Sequence, residues 1–360
     1  MTTTAKRPHA TLDETTARVL NELQDHFPLV ERPYAEVGAR LGLTEDETLT
    51  RLREARAAGV VRQVCAIYDT KALGYSSALV AARVPTDQLE HAAAVVNAHP
   101  GVSHNYRRNH DFNMWYTVAM PPGHDLSEVV QRLGVLSGAE SMRQMPTLRL
   151  FKIGVTLDMA GERPTNARGE PEYSEERREQ AKLFPVTDED IAYIRASQVD
   201  LPDIPCPFEA VAETLGTSVE AVLAHGRAMQ EHGHLRRYAT ILNHREAGFR
   251  ANGMAVWNVP EERIRSFGEF VAGYRNVSHC YQRPVYEDWQ YSVFSMIHAP
   301  RAEGVEEVAT AIAQETGITD HRVLYSSTEY KKIRLPYFVP EYDQWEALCE
   351  AAARGPETSK

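Results

Sequence analysis

Near its start the chain spaces apolar residues at helical intervals. In TLDETTARVLNELQDHF, Leu12 and Asp13 open a helix whose buried stripe runs through Val19, Leu20 and Leu23. The stretch YAEVGARLGLTEDETLTRLREARAAGVV then reads helix, glycine-containing turn, helix, with Thr44 as N-cap and Gly59 as terminator. This is a winged helix-turn-helix pattern. Beyond it the pattern changes. SSALVAARVP is a β run, DQLEHAAAVVNAHP a helix, GVSHNYRR and NMWYTVAM a hairpin, SEVVQRLGVL a helix and RLFKIGV a final strand. The order βαββαβ predicts a ferredoxin-like antiparallel sheet with helices on one face.

The whole pattern is then written again. GVVRQVCAIYDTKALGY (Gly59 to Tyr75) recurs as GHLRRYATILNHREAGF (Gly233 to Phe249), with Arg62/Arg236, Ile67/Ile241 and Gly74/Gly248 in step. GVSHNYRR recurs as NVSHCYQR, and LFKI as YKKI, which aligns Lys152 with Lys332. The fold class expected is therefore α+β: two tandem repeats, each a winged helix-turn-helix plus a ferredoxin-like domain. The expected boundaries are 10–70 and 71–160 for the first half, and 183–245 (a degenerate helix-turn-helix) and 246–345 for the second. Residues 161–182, rich in Pro, Gly and charge, read as a solvated linker, and 346–360 as a C-terminal tail.

Composition narrows the function classes. The 360 residues carry 50 acidic and 39 basic side chains, a formal net charge of −11, which disfavours a generic polyanion binder. Cys65, Cys206, Cys280 and Cys349 show no CxxC spacing, which argues against zinc ribbons, iron–sulfur ligation and a disulfide framework. MTTTAKRPHATLDETT has no apolar signal region, and no stretch reaches the ~18 apolar residues of a membrane span. A cytoplasmic protein without a membrane partner is expected.

Helix-turn-helix followed by a ferredoxin-like domain resembles the Lrp/AsnC-type regulators. Where such a regulator tends to have a short Thr-Gly turn between the middle strands, this chain has HNYRRNHDFNMWYTV and, in the second half, HCYQRPVYEDWQYSV with LYSSTEYKKIRLPYF. Those segments resemble the siroheme decarboxylases, in which two Lrp-like subunits pair, and the chain is similar to a fusion of the two partners (the NirD–NirL arrangement). The resemblance implies removal of two acetate carboxylates from siroheme to give didecarboxysiroheme, for haem d1 or an alternative haem route. It also implies that no added cofactor or catalytic metal is needed, since the iron belongs to the substrate; a bound haem is compatible with it. Pairing of the two halves within one chain is implied, with homodimerisation a further option.

An acetate on a pyrrole loses CO₂ only when the electrons left behind have a sink, which protonation of the ring provides. The chemistry asks for a proton donor, fixed cations for the remaining carboxylates, and a flat apolar slot. Histidine suits the first, arginine the second and aromatics the third. With ideal strand periodicity, Val102, His104, Tyr106 and Arg108 share one face, and Val277, His279, Tyr281 and Arg283 its equivalent. His104, His279, Tyr106 and Tyr281 are the candidate catalytic residues, joined by His110, whose counterpart is Val285. Candidate substrate contacts are Arg107, Arg108, Arg283, Lys152, Arg149, Lys331, Lys332 and Arg334, with Arg143 in the same class. Trp115, Tyr116, Tyr286 and Trp289 are candidate slot walls.

Blander readings stand beside these. The strand histidines suit an interface between sheets, the lysines a protected edge strand, and the aromatics an ordinary core. Two rival functions also remain: a transcriptional regulator, and a tetrapyrrole carrier without catalysis. Against DNA binding, Glu45, Asp46 and Glu47 fall at the start of the first recognition helix, where they would repel phosphates.

Overall fold

The computed structural model describes residues 12–153, 175–242, 251–274, 276–299 and 301–354. The first helix-turn-helix consists of α1 (Glu14–Asp25), α2 (Pro33–Leu41) and α3 (Glu45–Ala57), followed by β1 (Val61–Tyr68). Then come β2 (Ser76–Arg83), α4 (Leu89–Ala98), β3 (Val102–Arg108), β4 (Met114–Met120), α5 (Leu126–Ser137), β5 (Ser141–Met145) and β6 (Arg149–Ile153). The second half opens with α6 (Glu175–Ala181), α7 (Asp188–Ser197), α8 (Glu209–Leu215), α9 (Val219–Glu231) and β7 (Leu235–Leu242). It continues with β8 (Ala251–Trp257), α10 (Ile264–Ala272), β9 (Val277–Gln282), β10 (Val293–Ala299), α11 (Ala302–Thr316), β11 (His321–Leu324), β12 (Ser326–Lys332) and α12 (Glu341–Arg354).

These elements gather by type rather than by half. One compact unit takes Met1–Leu73 and Val155–Phe249; the other takes Gly74–Gly154 and Arg250–Lys360. In the first unit the duplicated segments pair with each other, β1 running antiparallel to β7 with Cys65 opposite Ala239. Phe27, Tyr34, Phe208 and Tyr238 meet edge-on or tilted in its core. Two of the three first-turn acids of α3 have structural partners: Glu47 completes a capping box with Thr44, and Glu45 pairs with Arg32. Arg56 of the same helix bonds Asp200 and Asp203, and Arg53 the Asp203 carbonyl, so this face of α3 holds the loop before α8. The stretch expected to be a linker contains α6, whose Arg178 reaches the buried Asp69 at 3.2 Å; residues 161–174 of that stretch lie outside the described residues, as does Gly248.

The second unit holds two five-stranded sheets, ordered β12-β3-β4-β2-β5 and β11-β8-β10-β9-β6. Four strands of each make the expected ferredoxin-like fold, but its closing strand is not the one the pattern suggests. Ser141–Met145 pairs with β2 and His321–Leu324 with β8, completing each half. RLFKI instead pairs with β9 of the second half, and the strand ending in Lys331 and Lys332 pairs with β3 of the first. Each half thus lends its fifth strand to the other. Neither strand alternates cleanly, which is why the pattern read them as ordinary closing edges.

The helices cover one face of each sheet. On the helix-free faces, Phe112, Trp115, Met145, Met254, Val256, Trp289, Phe294 and Leu324 form one apolar layer drawn from both halves. Trp115 and Trp289 are each 1% exposed and meet edge to face at 5.2 Å. Truncating either to Ala costs about 3–5 kcal/mol. The expected tail begins inside α12, where Trp345 packs on His99 and Glu346 meets His124 at 2.9 Å. Among the described residues no helix is long and apolar enough to cross a membrane.

Candidate active site

The two hairpins do present His, Tyr and Arg from one face, though not with the valines expected beside them. Each carrying strand has a bulge at its serine: the register slips between Val102 and His104, and again between Val277 and His279. Val277 and Cys280 both enter the core under the helices, which three residues of regular strand would forbid. The bulge therefore turns the following triplet onto the helix-free face. There the duplicate geometries nearly coincide. His104 and Tyr106 rings lie 6.1 Å apart at 32°, and His279 and Tyr281 rings 6.0 Å apart at 31°.

The bulge also places each serine hydroxyl on its neighbour's ring. Ser103 Oγ is 3.0 Å from His104 Nδ1, and Ser278 Oγ 2.7 Å from His279 Nδ1. Occupying Nδ1 fixes the orientation of each ring. Ser278 Oγ lies in addition 2.6 Å from Nε2 of His298, on the neighbouring strand. Val102 pairs with Val118 and Val277 with Ile297, so Ala119 holds the place of His298 in the first half. These serines and His298 escaped the sequence reading; the signal for the serines was the identical VSH in both repeats.

Beyond each tyrosine lies an arginine without an acidic partner among the described residues. The Arg108 guanidinium sits over Tyr106 at 5.7 Å and that of Arg283 over Tyr281 at 4.9 Å. Arg108 Nη1 donates to the Leu324 carbonyl at 2.9 Å, and Arg283 Nη1 to the Met145 carbonyl, so each reaches across to the other half. The Nε of both is buried without a hydrogen-bond partner. Burial brings both guanidinium groups down to about 10, the mark of cations stripped of water with little negative charge in return.

Several expected contacts are corrected by the structure. Lys152 sits opposite Cys280 and donates to the Tyr274 carbonyl at 2.8 Å; Lys331 sits opposite Asn105 and donates to the Asn97 and His99 carbonyls at 2.7 and 3.1 Å. Both lysines thus cap the ends of α10 and α4 on the helix-covered face, where burial lowers their pKa. Matching bulges in β6 and β12 make Lys152 the counterpart of Lys331, not Lys332. Trp115, Tyr116 and Trp289 are core, not slot walls, because their rings are closed off by the packed layers on either side. Tyr286 is half-buried, donates to the Gln144 carbonyl and lies under Arg143, itself paired with Asp288 at 2.8 Å. His110 accepts from Phe112 N at 3.0 Å and packs edge-on against Trp289 at 5.2 Å, and burial lowers its pKa.

What remains beside His104 is cationic. Lys332 is opposite it and Arg334 is half-buried just past β12, whereas Arg107, next to Tyr106 in regular strand, falls with Asn105 on the helix-covered face. Beside His279 the position corresponding to Lys332 is Ile153, and Arg149 is exposed opposite Gln282. Among the described residues no group of three or more His, Cys, Asp or Glu side chains is placed to hold a metal ion.

Comparison with known proteins agrees with this architecture. The model of an AsnC-like ligand binding domain matches residues 72–152 and 246–331, and that of a siroheme decarboxylase NirDL-like HTH domain matches 16–62 and 190–236. A siroheme decarboxylase of Hydrogenobacter thermophilus is 37% identical over 332 residues, 91% of this chain and 96% of that protein. The siroheme decarboxylase NirDL subunit of Paracoccus denitrificans is 33% identical over 325 residues, 89% and 97% of the two chains. The crystal structure of the siroheme decarboxylase NirDL, solved also in complex with an iron-uroporphyrin III analogue, superposes with a TM-score of 0.76 at 32% identity, covering 94% of this chain and 99% of that one.

Proposed function

Because the chain belongs to the siroheme decarboxylases, in their fused two-half form, we propose that it removes two acetate carboxylates of siroheme through the paired His–Tyr–Arg faces. The enzyme is a carboxy-lyase acting on a siroheme-type tetrapyrrole. The observation that carries the site assignment is the pair of arginines, each with a buried Nε and no acidic partner among the described residues. An uncompensated buried cation is costly, and a substrate rich in carboxylates supplies the missing charge. Nε2 of His104 or His279, held by its serine, delivers the proton that turns a pyrrole into an electron sink. CO₂ then leaves and the exocyclic methylene is protonated to methyl. Tyr106 and Tyr281 stand between donor and cation and give an apolar face for the ring edge. Lys332 and Arg334 bind further carboxylates beside His104, and Arg149 lies on the other rim.

No added cofactor enters this scheme, and the iron stays with the substrate. The product, didecarboxysiroheme, feeds haem d1 or an alternative route to haem in the cytoplasm. The helix-turn-helix units serve as scaffold rather than as DNA readers, since Arg53 and Arg56 of α3 are engaged by the second half. Homodimerisation through the remaining surface is part of the same proposal.

The test is anaerobic incubation of the purified protein with siroheme, followed by mass spectrometry. Loss of two carboxyl groups per macrocycle is expected. Tight binding with unchanged siroheme would instead make the protein a carrier, and a shifted promoter fragment in a gel would restore the regulator.

A further inference from the structure

The bridge that Ser278 makes between two imidazoles has no counterpart among the described residues of the first half. Its oxygen lies 2.7 Å from His279 Nδ1 and 2.6 Å from His298 Nε2, and it carries a single proton. A hydroxyl so placed donates to one ring and accepts from the other. Two arrangements satisfy this. In one, the hydroxyl donates to His279 Nδ1, accepts from His298 Nε2–H, and leaves the His279 proton on Nε2. In the other, His279 Nδ1–H donates to the oxygen, the hydroxyl donates to His298 Nε2, and His279 Nε2 is bare. His298 is partly exposed, and Ser278 is buried.

We propose that Ser278 and His298 are positioning residues that form a proton relay, letting Nε2 of His279 alternate between acid and base while both rings stay neutral. This rests on the reading of His279 as a proton donor. As Nε2 gives its proton to the pyrrole, the Ser278 hydroxyl proton passes to His279 Nδ1. The Nε2 proton of His298 passes to Ser278, and His298 takes one from water at Nδ1. The bond between the methylene and the carboxylate carbon then breaks, CO₂ leaves, and the electron pair neutralises the protonated ring. When the methylene is protonated to methyl from a second, water-borne proton, the ring proton returns to Nε2 and the relay runs backward, releasing one proton from His298. Per acetate the balance is one proton consumed and one CO₂ released, with the relay unchanged.

Neutrality matters because burial disfavours the imidazolium: it lowers the pKa of His298. In the first half Ser103 reaches His104 at 3.0 Å, but Ala119 stands where the second imidazole would be.

The experiment measures anaerobic siroheme turnover by the full chain and by Ser278→Ala, Ser278→Thr, His298→Gln and His279→Ala. Siroheme binding, followed by absorbance, reports that each variant is folded. Ser278→Ala and His298→Gln are expected to lower kcat tenfold or more with KM within about twofold, and Ser278→Thr to restore most of the rate. In mixtures of light and heavy water the wild-type rate should bend, since several protons move together, whereas the rates of Ser278→Ala and His298→Gln should fall on a straight line. Should both variants turn over within about twofold of wild type while His279→Ala is crippled, the relay is wrong and the donor stands. A straight wild-type dependence also refutes the relay, leaving Ser278 as a support for the ring. If His279→Ala keeps the wild-type rate, the donor assignment fails, and the relay with it.

Discussion

At the scale of single residues, duplication made the chemistry readable. His, Tyr and Arg stood out because both repeats keep them in one order, while Asn105/Cys280 and Arg107/Gln282 differ. Contacts made by bulged or buried atoms were not readable. Strand periodicity could not show that Ser103 and Ser278 turn back onto the next ring, nor that Lys152 and Lys331 face helix ends. Replacing His104 or His279 singly by Ala is expected to slow siroheme turnover about 100-fold or more; wild-type rates in both would remove the histidines from the mechanism. Arg108→Met and Arg283→Met should weaken siroheme binding about tenfold while barely moving Tm, because loss of an unpaired buried charge offsets the lost carbonyl bond. Titration calorimetry and thermal melts separate the two effects. His99 bears on stability instead. It is fully buried, accepts from Gly101 N at 3.0 Å, and burial brings its pKa down to about 3. Its neutral form is favoured by folding, so its contribution is complete above the ordinary histidine value of 6.5 and is lost as pH falls from there toward about 3. Over that window wild type should lose stability with a slope approaching ~1.4 kcal/mol per pH unit from this residue. Denaturant melts of His99→Gln should show a shallower slope.

At the scale of elements, helices and strands followed from spacing and caps: Asp13 and Thr44 both bond the first turns of their helices. Partnership between strands did not follow. A strand such as RLFKI states that it belongs at an edge, but nothing in its own residues names the sheet. Ser141–Met145, with four of its five residues half-buried, was too short and too polar to declare itself a closing strand. The corrected register separates two adjacent lysines by role. Lys331→Met removes the cap on α4 and should lower stability by about 1 kcal/mol or more, with KM for siroheme nearly unchanged. Lys332→Ala should raise KM and leave Tm alone. Melting curves and steady-state kinetics on the two variants check the assignment, which fails if the effects are interchanged.

At the scale of the whole molecule, the duplication was plain in the sequence, whereas the regrouping into one helical unit and one unit of sheets was not. Regrouping depends on β1 choosing β7, and β6 and β12 choosing the opposite sheets, contacts across more than a hundred residues that no local pattern encodes. The two halves have since diverged, one with cations beside its histidine and the other with a second imidazole behind it. Residues 1–160 and 175–360 produced separately should each expose an unpaired β3 or β9 edge and self-associate. Produced together, they should co-elute in equal amounts and decarboxylate siroheme; a stable, active monomer from either half would show the exchange to be dispensable. Joining the halves in one polypeptide has a further effect. A tether sets the effective concentration of one half around the other at about the millimolar level, so strand exchange becomes a first-order event, insensitive to dilution. An enzyme made in a few copies per cell would then keep its sites as fully formed as an abundant one, where separate subunits would fall apart.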